Sequence, residues 1–154
     1  MKGKLKNMAT LVSINVSTEK GVRKKPVPSV EIGLEGLVGD GHSGDWHRMV
    51  SLLAEESIDK MVAMGLTVGP GDFAENLTTR GVDLLAVPLG GRLSVGSDVV
   101  LEVTQHGKEC HTRCAIYHQA GDCVMPKEGI FAKVIKTGTI KTGDEVTVLK
   151  AGES

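Results

Sequence analysis

Polar and apolar side chains alternate along residues 11–17, with Leu11, Ser13, Asn15 and Ser17 on one parity and Val12, Ile14 and Val16 on the other. That two-residue period predicts a half-buried strand. Glu19-Lys20-Gly21 reads as a turn, and residues 22–28, with prolines at 26 and 28 and a solvated basic run at 23–25, suit the unpaired border of a sheet. A helical period then takes over. Leu52, Leu53, Ile58, Met61 and Val62 share one side of a helix running from a Ser51 cap to about Met64, where Gly65 ends it. Residues 89–96 lead into a further strand, the apolar run 98–104. Pro126 is expected to open a short second helix, with Ile130, Phe131, Val134 and Ile135 on its apolar side and Gly138 as its terminus. Residues 139–149 read as a turn and a last strand. The pattern predicts a mainly β chain with a few short helices, and no linker or internal repeat divides residues 1–154, so one domain is expected.

Composition narrows the functional classes. At 154 residues and 40% hydrophobic content the chain can bury a real core, and its 20 glycines favour short strands joined by tight turns. Eighteen basic residues against nineteen acidic ones leave no long-range field to draw the chain to nucleic acid or an acidic membrane. One Trp, one Tyr and two Phe provide no set of stacking platforms for bases. No apolar run approaches the roughly 20 residues of a membrane helix. The three cysteines are odd in number and clustered, and the polar-interrupted amino terminus is no export core, so a reducing, cytoplasmic setting is expected.

Three stretches carry candidate chemistry. In the first, Gln105 to Cys114, Cys110 lies between Glu109 and His111 in a segment too polar to bury whole, and Lys108, His111 and Arg113 are positioned in sequence to stabilise a thiolate. Cys114 leads into Ala115-Ile116-Tyr117 and Cys123 precedes Val124-Met125, apolar settings that favour an inert thiol. The expected order of reactivity is Cys110, Cys114, Cys123. The second stretch, residues 33–48, is glycine-rich, so its amides are free to face an anion, and Asp40, His42, His47 and Arg48 add donors and acceptors. The third, residues 69–81, holds the polar group Glu75, Asn76, Thr78 and Thr79. Such a group can orient a heterocycle or simply satisfy nearby backbone. A zinc site is an alternative of another kind, with Cys110, Cys114 and Cys123 joined by His106, His111 or His118, although only Cys110-x-x-x-Cys114 forms a usual ligand pair.

Taken in order, Gly39-Asp40-Gly41-His42, Glu75-Asn76-Leu77-Thr78, Gly107-Lys108-Glu109-Cys110-His111 and Ile140-Lys141-Thr142-Gly143-Asp144-Glu145-Val146 resemble the MOSC domain, named for the carboxy-terminal domain of molybdenum cofactor sulfurases. The resemblance spans roughly Val30 to Leu149. It implies a strongly bent β-barrel with a few helices. It also implies a cysteine that carries sulfur as a persulfide or ligates molybdenum, a role that falls by position on Cys110, with Cys114 as the rival because some members show Cys-x-Arg-Cys. The implied cofactor is molybdopterin-bound molybdenum, and the implied partners are that cofactor or the proteins that make it. Its phosphate would be met by Arg48, Lys108 and Arg113 with the glycine-rich loop around Gly39 to Gly44, and Asp40, His42, Glu75, Asn76, Thr78 and His111 are the further candidates for binding the cofactor. The implied activities range from sulfur carriage and cofactor binding to reduction of N-hydroxylated compounds. For the last the chain has no dinucleotide fingerprint and no four-cysteine cluster pattern.

Overall fold

The computed structural model describes residues 9–17, 25–39, 50–71, 73, 75–106 and 129–149. The alternating amino-terminal segment forms β1 (Ala9–Val16), and the proline-bearing stretch after it supplies β2 (Lys25–Val27), which pairs with β1. There follow β3 (Ser29–Gly33), β4 (Gly36–Leu37), β5 (Val50–Ala54), the helix α1 (Glu55–Ala63), β6 (Leu77–Arg80), a 3-10 turn at Leu84–Ala86, β7 (Arg92–Val95), β8 (Val99–His106), β9 (Ile130–Lys136), β10 (Gly138–Lys141) and β11 (Glu145–Leu149). The strand order β11-β7-β8-β9-β5-β6-β1 closes on itself, because β1 also pairs with β11 at Ala9↔Val146 and Thr10↔Glu145. The result is a seven-stranded barrel with β2 attached outside the ring, and β10, β3 and β4 form a separate small sheet. Neighbours in the ring are antiparallel except β5 and β6, whose parallel pairing needs a crossover, and α1 lies in it. Among the described residues no helix is long and apolar enough to cross a membrane.

The barrel interior is filled by inward side chains such as Leu11, Ile14, Leu52, Leu77, Leu101 and Ile130, and Ile32, Leu37 and Ile140 of the small sheet join the same core. Leu11 and Ile14 stand on opposite parities, yet both point inward. A register shift between Leu11 and Ser13, where β1 pairs with β6, turns the strand by one residue and makes this possible. A second, smaller core lies outside the wall, where Leu53 and Phe131 meet Ile58 and Met61 of α1 and Phe73.

Both helix expectations need correction. Ser51 is no helix cap: it sits in β5 between Phe131 of β9 and the Asn76 side chain, and α1 begins only at Glu55, after Ala54, with no side-chain cap. The segment 126–138 does not form the expected helix over its described part. Ile130–Lys136 is strand β9. The cause is the same in each case. Val50 to Leu53 and Ile130 to Ala132 are buried on both faces, one toward the barrel and one toward the second core, so period-2 alternation is lost and the apolar run imitates a helical stripe. The predicted end of α1 does hold: Gly65 takes a φ of 96° and donates its N–H to the Val62 carbonyl at 2.9 Å.

Gly138 marks a close approach between strands rather than a helix end, since a Cβ there would lie 2.8 Å from Cβ of Asp98. Gly138→Ala is therefore expected to lower unfolding stability by about 1–3 kcal/mol through overpacking. Urea denaturation measures this, and an unchanged midpoint would contradict the placement of β10 against the turn before β8.

Candidate functional site

One end of the barrel collects the strand ends that border the chemically marked segments. Across the wall the pairs His106↔Ile130, Ile130↔Leu52, Leu52↔Leu77 and Leu77↔Ile14 form a single row. This row is one rim. The carboxy-terminal ends of β1 and β8 reach it, and β5, β6 and β9 begin there. Residues 107–128 therefore run from His106 to Gly129 between two neighbouring strand ends at this rim, and residues 40–49 run into β5 beside them. Asp40, His42, Arg48, Lys108, Cys110, His111, Arg113 and Cys114 all belong to these two segments and lie outside the described residues, as do His47, His118 and Cys123. Glu75, Asn76, Thr78 and His106 are described. Among the described residues no three His, Cys, Asp or Glu side chains gather where they could hold a metal ion.

Glu75, Asn76 and Thr78 have no solvent exposure, and neither do Asn15 and Ser51. Because Leu52, Leu77 and Ile14 face inward, Ser51, Thr78 and Asn15 face the outside of the wall, where the turn before β6 meets them. The Glu75 carboxylate accepts the Gly71 N–H at 2.9 Å, the Phe73 N–H at 3.2 Å and the Thr78 hydroxyl at 2.8 Å. Thr78 Oγ1 in turn accepts from Asn15 Nδ2 at 3.0 Å, so its own proton is committed to Glu75. Asn15 Oδ1 accepts the Ser13 hydroxyl at 2.6 Å. Asn76 works toward the other strand. Its Oδ1 accepts the Ser51 N–H at 3.0 Å and the Ser51 hydroxyl at 3.2 Å, and its Nδ2 donates to the Asn15 carbonyl at 3.3 Å. The backbone repeats the link, with Asn15 N–H donating to the Asn76 carbonyl at 2.7 Å and Asn76 N–H to the Ser51 carbonyl at 3.0 Å. Ends of β1, β5 and β6 are thus joined through one buried polar network.

Burial pushes the Glu75 carboxyl above its ordinary value of 4.5, against the opposing pull of the Gly71 amide, the Thr78 hydroxyl and the Phe73 amide. At the rim itself, His106 Nε2 lies 2.6 Å from the Val87 carbonyl. A carbonyl only accepts, so Nε2 donates its proton to it. Ser13, Asn15 and Ser51 are members of the network that the sequence reading missed. Their signal was polarity in the wrong place, above all a serine inside the apolar run Val50-Ser51-Leu52-Leu53. A cleft of about 690 Å³ lies at the far end of β5 and β6, between α1 and residues 81–85. There Arg80 ties the end of β6 to α1 through Glu55 and Asp59, each at 2.6 Å.

A closed, mostly antiparallel barrel, with the strand ends that border residues 40–49 and 107–128 at one rim, defines the class of fold. The family follows: the MOSC domain model matches residues 39–147, and the chain belongs to that family. The fold is similar to that of the YuaD protein from Bacillus subtilis, with a TM-score of 0.77 and 19% identity over 92% of this chain and 95% of that one. It is similar also to YiiM from Geobacillus stearothermophilus, with a TM-score of 0.71 and 24% identity over 94% of this chain and 76% of that one. YiiM from Escherichia coli matches with a TM-score of 0.69 and 19% identity, over 96% and 72% of the two chains. No curated protein sequence matches.

Two stability measurements probe this geometry. A carboxyl whose folded pKa is raised contributes stability that is fully present below the unfolded value and is lost as pH rises through the folded value. Wild type should therefore lose stability relative to Glu75→Gln as pH rises from about 4.5, and urea midpoints across pH will show it; parallel curves would contradict a raised pKa. Thr79 is the second probe, because its buried Oγ1 has no hydrogen-bond partner among the described residues. Thr79→Val should raise stability by about 1 kcal/mol, by removing an unpaired polar atom at nearly constant shape.

Proposed function

We propose that this protein handles the molybdenum cofactor, with Cys110 carrying sulfur as a persulfide or ligating the metal. Two facts support the reading: membership of the MOSC family, whose association is with molybdenum cofactor chemistry, and the shared rim. The rim is the observation that carries it. All three cysteines and all five histidines of the chain lie at His106 or in residues 40–49 and 107–128, the segments that join this rim. Cys110 stands four residues beyond His106 and Arg48 two before Val50, so at roughly 3.5 Å per residue neither can lie farther than about 14 Å from its strand end.

The donor set fits the cofactor. A thiolate is a soft ligand suited to molybdenum, whose pyranopterin already supplies sulfur. Lys108, His111 and Arg113 keep Cys110 in its nucleophilic, ligating form. Arg48, Lys108 and Arg113 meet the phosphate, and Asp40, His42 and the amides of the glycine-rich loop meet the remaining polar edge. Glu75, Asn76 and Thr78 act from beneath, since their hydrogen-bonding atoms are engaged inside the wall. Bound cofactor would supply a redox-active metal or an acceptor for sulfur.

Reconstitution with isolated cofactor, followed by metal and pterin analysis, tests the reading. Loss of even an outer-shell partner typically costs roughly 10–100-fold in metal affinity, so Cys110→Ser is expected to lose at least that much, together with its persulfide loading. Equal cofactor retention and equal persulfide in both proteins would remove Cys110 from the centre. One tightly held zinc per chain after purification without added metal, with unfolding on chelation, would favour the zinc reading instead.

A further inference from the structure

A buried carboxyl group is kept in a protein where hydrogen-bond donors meet it. Among the described residues the donors to Glu75 are two backbone amides and one hydroxyl, and they come from two parts of the rim's support. Gly71 and Phe73 come from the turn that enters β6, and Thr78 from β6 itself. Thr78 passes the link to Asn15 at the end of β1. Asn76, next in sequence to Glu75, passes it to Ser51 at the start of β5. One of these strand ends borders segments that carry the chemistry proposed above: β5 follows residues 40–49, and its Ser51 pairs with Phe131 of β9, the strand that follows residues 107–128.

We infer that Glu75 and Thr78 are positioning residues for the rim: the Glu75 carboxylate, through Thr78, Asn15, Asn76 and Ser51, fixes the relative placement of the β1, β5 and β6 ends from which the site is built. The inference rests on the cofactor reading for the identity of the ligand, but not for the existence of the brace. Two features separate this role from ordinary core filling. The contacts run along the strand ends, with sequence separations of 25 between Ser51 and Asn76 and 63 between Asn15 and Thr78, so they lock elements that local structure leaves free. They also run one way, because the Thr78 proton has no other use once Asn15 donates to its oxygen. Loss of the hydroxyl therefore frees both neighbours at once, and a serine restores both bonds.

The test compares Thr78→Val with Thr78→Ser in the full chain, well below the unfolding transition of each. Affinity for the isolated molybdopterin cofactor is expected to fall about tenfold in Thr78→Val, the lower range for an outer-shell partner, and to return in Thr78→Ser. The alkylation rate of Cys110 by iodoacetamide in cofactor-free protein is expected to fall severalfold in Thr78→Val and to recover in Thr78→Ser. A brace that only stabilises the fold would leave both readings at wild-type values while lowering the unfolding midpoint, and that result overturns the inference. Should Thr78→Val fail to fold, Ser51→Ala cuts one arm alone and is expected to shift both readings in the same direction by less; no shift again overturns it. If wild type binds no cofactor, the functional reading falls, and the alkylation comparison still decides the brace.

Discussion

A carboxyl group without access to water needs hydrogen-bond partners for its oxygens, and at Glu75 that requirement organises one end of the barrel. Burial pushes its pKa up, and the Gly71 and Phe73 amides and the Thr78 hydroxyl offset part of the cost of burying it. Once they are committed, so are their strands. The turn before β6 is held on the outside of the wall, Thr78 is left to accept from Asn15, and Asn76 falls where its amide reaches both Asn15 and Ser51. The hydrophobic core alone would not impose this arrangement. Where a strand is buried on both faces, as β5 is, burial alone specifies its register weakly, whereas donor and acceptor pairs fix it.

The barrel supplies the complementary constraint. Closure through β1 and β11 removes the free edges of the ring and fixes which strand ends lie together. The parallel pair β5 and β6 is the exception within the ring, and it is there that the polar network sits. Parallel neighbours start at the same end, so β5 and β6 bring the exit of residues 40–49 and the Glu75 turn to the rim side by side. The antiparallel pair β8 and β9 brings both ends of residues 107–128 to the same place. At the far end the Arg80 contacts with Glu55 and Asp59 are exposed, and salt screens such pairs. The buried network is beyond such screening.

Part of the fold was legible in the sequence. The alternation in β1 is read from period, although its Ser13 and Asn15 are buried in the polar network, and the last strand, β11, lies within the expected 139–149, where β10 was not foreseen; the ordered motifs carry the family and hence the barrel. Strands β5 and β9 were not legible, because the second core beyond Leu53 and Phe131 buries their outer face and erases the period. The β1 bulge was hidden for a related reason: sequence shows parity, and a register shift changes parity without changing composition. At the site, Glu75, Asn76 and Thr78 stood out as a polar group, but which way they face depends on partners 25 to 63 positions away. Asn15 and Ser51 were invisible as members for that reason.

We propose that the rim presents Cys110 as the reactive thiol of a cofactor site. Limited alkylation of native, metal-free protein near neutral pH, with each cysteine quantified by mass spectrometry in the absence and presence of isolated molybdopterin cofactor, tests it most directly. The account predicts labelling in the order Cys110, Cys114, Cys123, with Cys110 protected when cofactor is added. Labelling of Cys114 first, with Cys110 untouched until the fold is denatured and no protection by cofactor, would contradict it.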